Sequence, residues 1–82
     1  MYNRGNMNRE KEINILKCWL IRNAQLRWHK TPCEIVNLFN YYHIYKFVEE
    51  AYELLHVSSY ESTLNEIEEI LKVNGVDVYA KP

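Results

Sequence analysis

Apolar residues recur along most of this chain at intervals of three and four, in four blocks separated by short polar connections. That spacing places apolar side chains on one face of an α-helix. It predicts four helices, over residues 8–28, 32–40, 43–56 and 59–73. The predicted fold class is therefore all-α: a small compact bundle of four helices, with the first and third forming the core and the fourth closing it.

The predicted first helix is apolar on most sides. Ile13, Leu16, Leu20 and Ala24 form one stripe at helical spacing, and a second set widens it: Ile15, Trp19 and Leu26. A helix that is apolar nearly all round is typical of a central position. We therefore expect this helix to be covered by more than one neighbour.

Local signals mark the helix ends. Thr31 and Glu34 form a capping-box pattern around Pro32, which suits the first position of a helix. Ser58 and Glu61 offer the same pattern for the last helix. Gly75 stops that helix, because glycine tolerates the left-handed conformation that follows many helices.

The predicted third helix has three faces at about 100° per residue. One is a broad apolar arc of Ile44, Phe47, Val48, Ala51, Leu54 and Leu55, and the opposite side is charged. Between them runs a narrow stripe made of Tyr45, Glu49, Tyr52 and His56. Two interpretations stay open for this stripe. It is either the core boundary, with the tyrosine hydroxyls in water, or a face that binds another protein, since tyrosine is enriched at interface hot spots.

Length and composition indicate one domain. The chain has 82 residues, of which 48% are hydrophobic, and only two glycines and two prolines. We predict a flexible N-terminal lead over 1–7, a single helical domain over 8–75 and an extended C-terminal tail over 76–82. No secretory signal and no membrane-length apolar run is visible, so we expect a cytoplasmic protein that does not contact membranes. The two cysteines are expected to be reduced and buried.

Charge is distributed unevenly. Residues 1–30 contain seven basic and two acidic side chains, whereas residues 31–82 contain three lysines and nine acidic side chains. The two halves can pair with each other, or either can meet a charged partner. The alternative function is a DNA-binding regulator of helix-turn-helix type. Its recognition helix would present Glu49, Glu50 and Glu53 with only Lys46, which is unfavourable near phosphates.

Motifs that carry chemistry are missing from the sequence. Two glycines are too few for a nucleotide-binding loop. Neither the serine-hydrolase motif G-x-S-x-G nor the metalloprotease motif H-E-x-x-H is present. The metal-ligand types Cys18, His29, Cys33 and His43 match no zinc spacing. His56 would gain from a helix C-terminus, but no second catalytic group accompanies it. We therefore expect no metal, no cofactor, no catalytic residue and no enzymatic activity.

Residues 9–75 resemble the uncharacterised bacterial family called domain of unknown function 3791. The resemblance rests on EIVNLFNYYHIYKFVEEAYELLH and on the later NEIEEIL segment. The chain departs from the family pattern at His43, where a Gly is usual, and at Glu53 and Val57, where Asp and Thr are usual. The resemblance implies a small cytoplasmic helical protein of Gram-positive anaerobes. It also implies a gene beside a family similar to ADP-ribosyltransferases, and hence an antitoxin or accessory role.

Together these observations favour a non-enzymatic protein–protein interaction module. Its predicted partner is another protein, such as the product of an adjacent gene, and its predicted contact residues are Tyr45, Glu49, Tyr52 and His56. Nucleic acid is the less favoured partner. The sequence leaves the formation of a homo-oligomer open.

Overall fold

The computed structural model describes the backbone of residues 2–79 and the side chains of residues 9–79. This part of the chain is all-α and contains no β-strand, which confirms the predicted fold class. Its helices are α1 (Tyr2–Trp28), α2 (Pro32–Tyr41), α3 (Ile44–Glu50), α4 (Tyr52–Leu55) and α5 (Tyr60–Val73).

The predicted third helix is divided into α3 and α4. The division falls at Ala51, whose φ of −98° and ψ of 10° leave the helical range. The backbone N–H of Ala51 still donates to the Phe47 carbonyl at 2.9 Å, and that of Leu55 donates to the Ala51 carbonyl at 2.9 Å. The chain therefore turns slightly without losing its direction. No Gly or Pro stands near Ala51, so the sequence carries no signal for this break.

The described chain continues beyond the predicted helices at both ends. Helix α1 begins at Tyr2 and so includes residues 2–7, which were assigned to a flexible lead. A single Gly5 costs a helix only about 1 kcal/mol, and no proline interrupts this segment. At the other end, Val76 donates to the Leu71 carbonyl at 2.8 Å after Gly75 turns the chain with a φ of 83°. Residues 76–79, here called the C-terminal strap, then pack on the bundle through Val78. Residues 80–82 of the predicted tail lie outside the described residues.

Helix α1 is central, as expected, and it contacts α2, α3 and α5. Every element adds buried apolar side chains to one core: Ile13, Leu16, Leu20, Ala24 and Trp28 from α1; Ile35 and Phe39 from α2; Ile44, Val48, Tyr52 and Leu55 from α3 and α4; Leu64, Ile67 and Leu71 from α5; and Val78 from the strap. The chain of edge-to-face rings Trp28–Phe39–Tyr45 crosses three of these elements, with centroid distances of 6.3 and 5.6 Å.

Of the two predicted capping boxes, the one at α2 is confirmed and the Ser58–Glu61 one at α5 is wrong. The Thr31 hydroxyl accepts from the Glu34 N–H, and the Glu34 carboxylate accepts from the Thr31 N–H at 3.1 Å, which completes the capping box. Helix α5 begins one residue later than predicted. Its cap is Ser59, whose hydroxyl accepts from the Ser62 N–H at 3.1 Å. Ser58 instead donates its hydroxyl to the Leu54 carbonyl at 3.0 Å.

Candidate interaction surfaces

The predicted contact stripe lies along α1. Lys17 places its Nζ 2.6 Å from the Glu49 carboxylate and 5.4 Å from the centre of the Tyr45 ring. The Tyr52 hydroxyl donates to the Glu12 carboxylate at 2.6 Å. Tyr45, Glu49 and Tyr52, three of the four predicted contact residues, therefore hold α3 and α4 against α1. We call this contact between α1 and α3–α4 the seam. At the seam, the Lys17–Glu49 ion pair joins the basic first part of the chain to the acidic second part.

Tyr52 is the most constrained residue of the seam. Its ring is buried, and the Arg9 guanidinium lies 5.4 Å from the ring centre while also pairing with Glu53. The hydrogen bond to Glu12 raises the pKa of Tyr52 above its ordinary value, and burial adds to that rise. The buried face of this segment thus includes Tyr52, which the predicted apolar arc did not contain. Leu54, which belongs to that predicted arc, is exposed.

Tyr45 is half-buried at the same seam. Burial is the largest cause of its raised pKa, and the charge of a nearby Cys18 thiolate would add to it. Its ring packs edge-on against Phe39. Tyr45 therefore acts mainly as a boundary residue of the core.

His56 is the one predicted contact residue that is exposed and makes no ion pair with a described residue. Its imidazole stacks on the Tyr52 ring, with centroids 5.0 Å apart and planes at 19°. Three apolar side chains near it in the sequence are exposed: Leu54, Val57 and Tyr60. We call these four residues the turn surface, because they flank the turn between α4 and α5. A shallow groove of about 190 Å³ runs from this surface to Ile15 of α1.

A second exposed apolar surface runs along α1. Ile15, Trp19 and Leu26 were expected to face the core, but all three are exposed. The core-facing side of α1 is already filled by the stripe from Ile13 to Trp28, and the other side is only partly covered, by Tyr60 of α5 on Trp19. Arg22 is exposed between them. We call Ile15, Trp19, Arg22 and Leu26 the α1 stripe.

Glu68 joins three elements at the far end of the bundle. Its Oε2 accepts from the Trp28 indole N–H at 2.6 Å and from the Tyr79 hydroxyl at 2.6 Å, and it pairs with Arg27 at 2.9 Å. Only the tertiary fold brings these donors together, because they come from α1 and the strap whereas Glu68 lies in α5. The hydrogen bond to Tyr79 raises the pKa of Arg27 further, so its charge is permanent. This cluster fastens the strap.

A groove of about 740 Å³ lies between α2 and the strap. Leu38 and Val76 form part of its apolar lining, and Asn37 and Tyr41 contribute polar groups. The Glu34 carboxylate at its edge is already used by Thr31, whose N–H lowers the pKa of Glu34.

The prediction that both cysteines are buried was wrong. Cys18 and Cys33 are both exposed, because Cys18 points away from the core face of α1 and Cys33 lies in the first turn of α2. Within the described residues no three of the His, Cys, Asp and Glu side chains come together as a metal site would require.

The class defined by this architecture is a small all-α protein with a single core around one long helix. No helix in the described part is long and apolar enough to cross a membrane. The chain belongs to the family described as "Protein of unknown function (DUF3791)", whose model matches residues 16–74, from the first turns of the α1 core to the end of α5. No curated protein and no solved structure matches the chain.

Proposed function

We propose that this protein is a non-enzymatic protein–protein interaction module and that the turn surface binds its partner. The observation that carries the proposal is the exposure of Leu54, Val57 and Tyr60 around His56. Clustered exposed apolar side chains are characteristic of protein contact sites, whereas isolated ones need no explanation. The turn surface also retains one residue of the predicted contact stripe, His56.

The turn surface is held in place before a partner arrives. The Ser58 hydroxyl is bonded to the Leu54 carbonyl, and Ser59 caps the next helix. Stacking on the buried Tyr52 orients His56. Because these contacts already restrain the turn backbone and the His56 ring, less of their motion is lost on binding, which lowers the cost in conformational entropy.

The partner we propose is another bacterial protein in the same cytoplasm, encoded by an adjacent gene. An antitoxin or accessory role toward a toxin-like enzyme agrees with the gene setting that the family resemblance implies. Neutralising such an enzyme requires a rigid surface and no catalytic group of its own. The turn surface supplies such a contact.

The test uses two leucines with similar exposure on different surfaces. Leu54, 67% exposed, belongs to the turn surface, and Leu26, 73% exposed, belongs to the α1 stripe. Binding of the purified protein to each adjacent gene product is measured by titration calorimetry. We expect Leu54→Glu to weaken binding at least about 30-fold, the loss of a hot spot, and Leu26→Glu to leave affinity unchanged. Equal affinity of folded Leu54→Glu and wild type would overturn the proposed surface.

The DNA-binding alternative has its own measurement. Helices α2 and α3 are joined by only two residues, as in a helix-turn-helix, but the exposed side of α3 carries Glu49 and Glu50 beside Lys46. A gel shift with the upstream DNA of the gene, weakening as salt rises, would favour that alternative. The absence of a shift at low salt would remove it.

A further inference from the structure

The α1 stripe has an internal symmetry. Its residues are spaced by four, three and four positions, so the pattern has the same spacing in both directions along the helix. Its two ends are the aliphatic residues Ile15 and Leu26. Its two middle positions are an aromatic ring, Trp19, and a guanidinium, Arg22.

We propose that the α1 stripe binds a second copy of this chain in an antiparallel arrangement. A twofold axis crossing α1 midway between Trp19 and Arg22 places Ile15 opposite the partner copy's Leu26. The same axis places Trp19 of each copy opposite Arg22 of the other copy, so the interface contains this contact twice. An isologous interface needs this kind of self-complementary pattern. The α1 stripe borders the turn surface, because Tyr60 stacks on Trp19, but the two surfaces share no residue, so the inference goes beyond the proposed function.

Chemical complementarity selects the antiparallel orientation. A guanidinium packs favourably on the face of an indole ring, and that attraction grows when water is excluded. Arg22 makes no ion pair with a described residue, so its charge is free for this contact. A parallel pairing would instead place Arg22 against Arg22 and bring like charges together.

The ring that receives the guanidinium is already oriented. Tyr60 stacks on Trp19, with centroids 6.2 Å apart and planes at 20°, while 46% of Trp19 stays exposed. Shallow depressions border the stripe, one lined by Trp19 and Arg22 and another by Leu26. These depressions offer room for side chains of the second copy.

The size of the stripe predicts a weak dimer. Ile15 and Leu26 lie about 16 Å apart along the helix axis, at 1.5 Å per residue. A contact of three turns per chain belongs at the lower end of specific interfaces. We therefore expect a reversible dimer with a dissociation constant between about 1 µM and 1 mM.

Sedimentation equilibrium of the full chain over a range of concentrations measures the dimer directly. Leu26→Glu should abolish it, and Arg22→Glu should weaken it at least about tenfold, while Arg22→Lys should keep part of the affinity. Leu54→Glu, with an equally exposed leucine on the turn surface, should dimerise as wild type does. A monomer at all concentrations would overturn the proposal, as would equal dimerisation of wild type and Leu26→Glu.

Cross-linking tests the orientation in a chain whose native cysteines are replaced by Cys18→Ser and Cys33→Ser. The double variant Ile15→Cys with Leu26→Cys should form disulfide-linked dimers on mild oxidation, because the two positions face each other across the axis. Leu26→Cys alone should not, because the same residues are far apart in an antiparallel pair. Efficient cross-linking by Leu26→Cys alone would overturn the antiparallel arrangement. Since Leu54 is untouched, failure here leaves the turn surface and its own test unaffected.

Discussion

His43, before α3, adopts a φ of 58° and a ψ of 34°, the left-handed conformation that most side chains avoid. Gly adopts a positive φ without a steric penalty, whereas a residue with a Cβ atom is strained in this conformation. Here the connection is short and α3 must start immediately, so His43 takes the strained conformation. His43 is therefore a residue with a strained backbone at a tight turn.

Replacing this histidine by glycine should therefore stabilise the protein. We expect His43→Gly to raise the free energy of unfolding by roughly 0.5–1 kcal/mol, since relief of backbone strain exceeds the added chain entropy. Urea unfolding measures the change. The matched control is His56→Gly, where φ is −70° and Gly relieves nothing, so that variant should be no more stable than wild type. A loss of stability in His43→Gly would contradict the strain argument.

Glu34 links the α2 cap to pH. The Thr31 backbone N–H, followed by the Thr31 hydroxyl, lowers the pKa of Glu34 below its ordinary value near 4.5. Because the folded pKa is the lower one, the cap stabilises the protein fully above the unfolded pKa. That stabilisation is lost as pH falls through the folded pKa.

The pH dependence gives a second measurement. Melting temperatures of wild type and Glu34→Gln, compared from pH 7 down to pH 3, should converge as the carboxylate is protonated. Thr31→Ala removes the hydroxyl and keeps the backbone N–H that bonds Glu34, so it should cost about 1 kcal/mol at pH 7 and leave most of the pH dependence in place. A difference between wild type and Glu34→Gln that stays constant with pH would show that the cap does not depend on ionised Glu34.

At the scale of the elements, the sequence predicts what local chemistry controls. The start of α2 follows from Thr31 and Glu34, and the end of α5 follows from Gly75. The break at Ala51 does not follow, because it has no local signal. Likewise, the structure buries Tyr52 and exposes Leu54, whereas the sequence pattern predicted Leu54 in the core. This difference depends on the contacts of Tyr52 with Glu12 and Arg9, which are distant in the sequence. Periodicity locates an apolar face to within about one helix position, and tertiary contacts decide which side chains at the edges of that face are buried.

The C-terminal strap is an element that periodicity could not assign. Its attachment has an apolar part, Val78, and a polar part, the Glu68 cluster with Tyr79. Val78 is 4% exposed, whereas Val73, at the last position of α5, is 81% exposed. The two valines allow the same substitution to be compared in buried and exposed positions.

We expect Val78→Ala to lower the free energy of unfolding by about 1–3 kcal/mol, because it removes two buried methyl groups and leaves a cavity. Val73→Ala should stay within about 0.5 kcal/mol of wild type. Thermal or denaturant unfolding measures both. Equal effects of the two substitutions would mean that the strap does not close the core.

On the scale of the whole molecule, the described side chains of the basic first third and of the acidic remainder meet at three places along α1. Arg9 pairs with Glu53, Lys17 with Glu49 at 2.6 Å, and Arg27 with Glu68 at 2.9 Å. The first two pairs expose their carboxylates to water, and the third is partly covered and shared with Trp28 and Tyr79. The opposite charges seen in the sequence are thus paired within the fold. We expect the coupling energy of these pairs to rise from the Arg9 end of α1 to the Arg27 end.

Double-mutant cycles test that gradient. For Lys17 and Glu49 we expect a coupling energy of about 0.2–1 kcal/mol, the usual range for an exposed pair, falling as salt rises. For Arg27 and Glu68 we expect about 1.5–3 kcal/mol with less salt dependence, because the carboxylate there also accepts two further hydrogen bonds in a less hydrated position. The cycles use alanine at each position and urea unfolding at low and high salt. Equal couplings at both places would mean that overall charge balance, rather than the local geometry at Glu68, holds the two halves together.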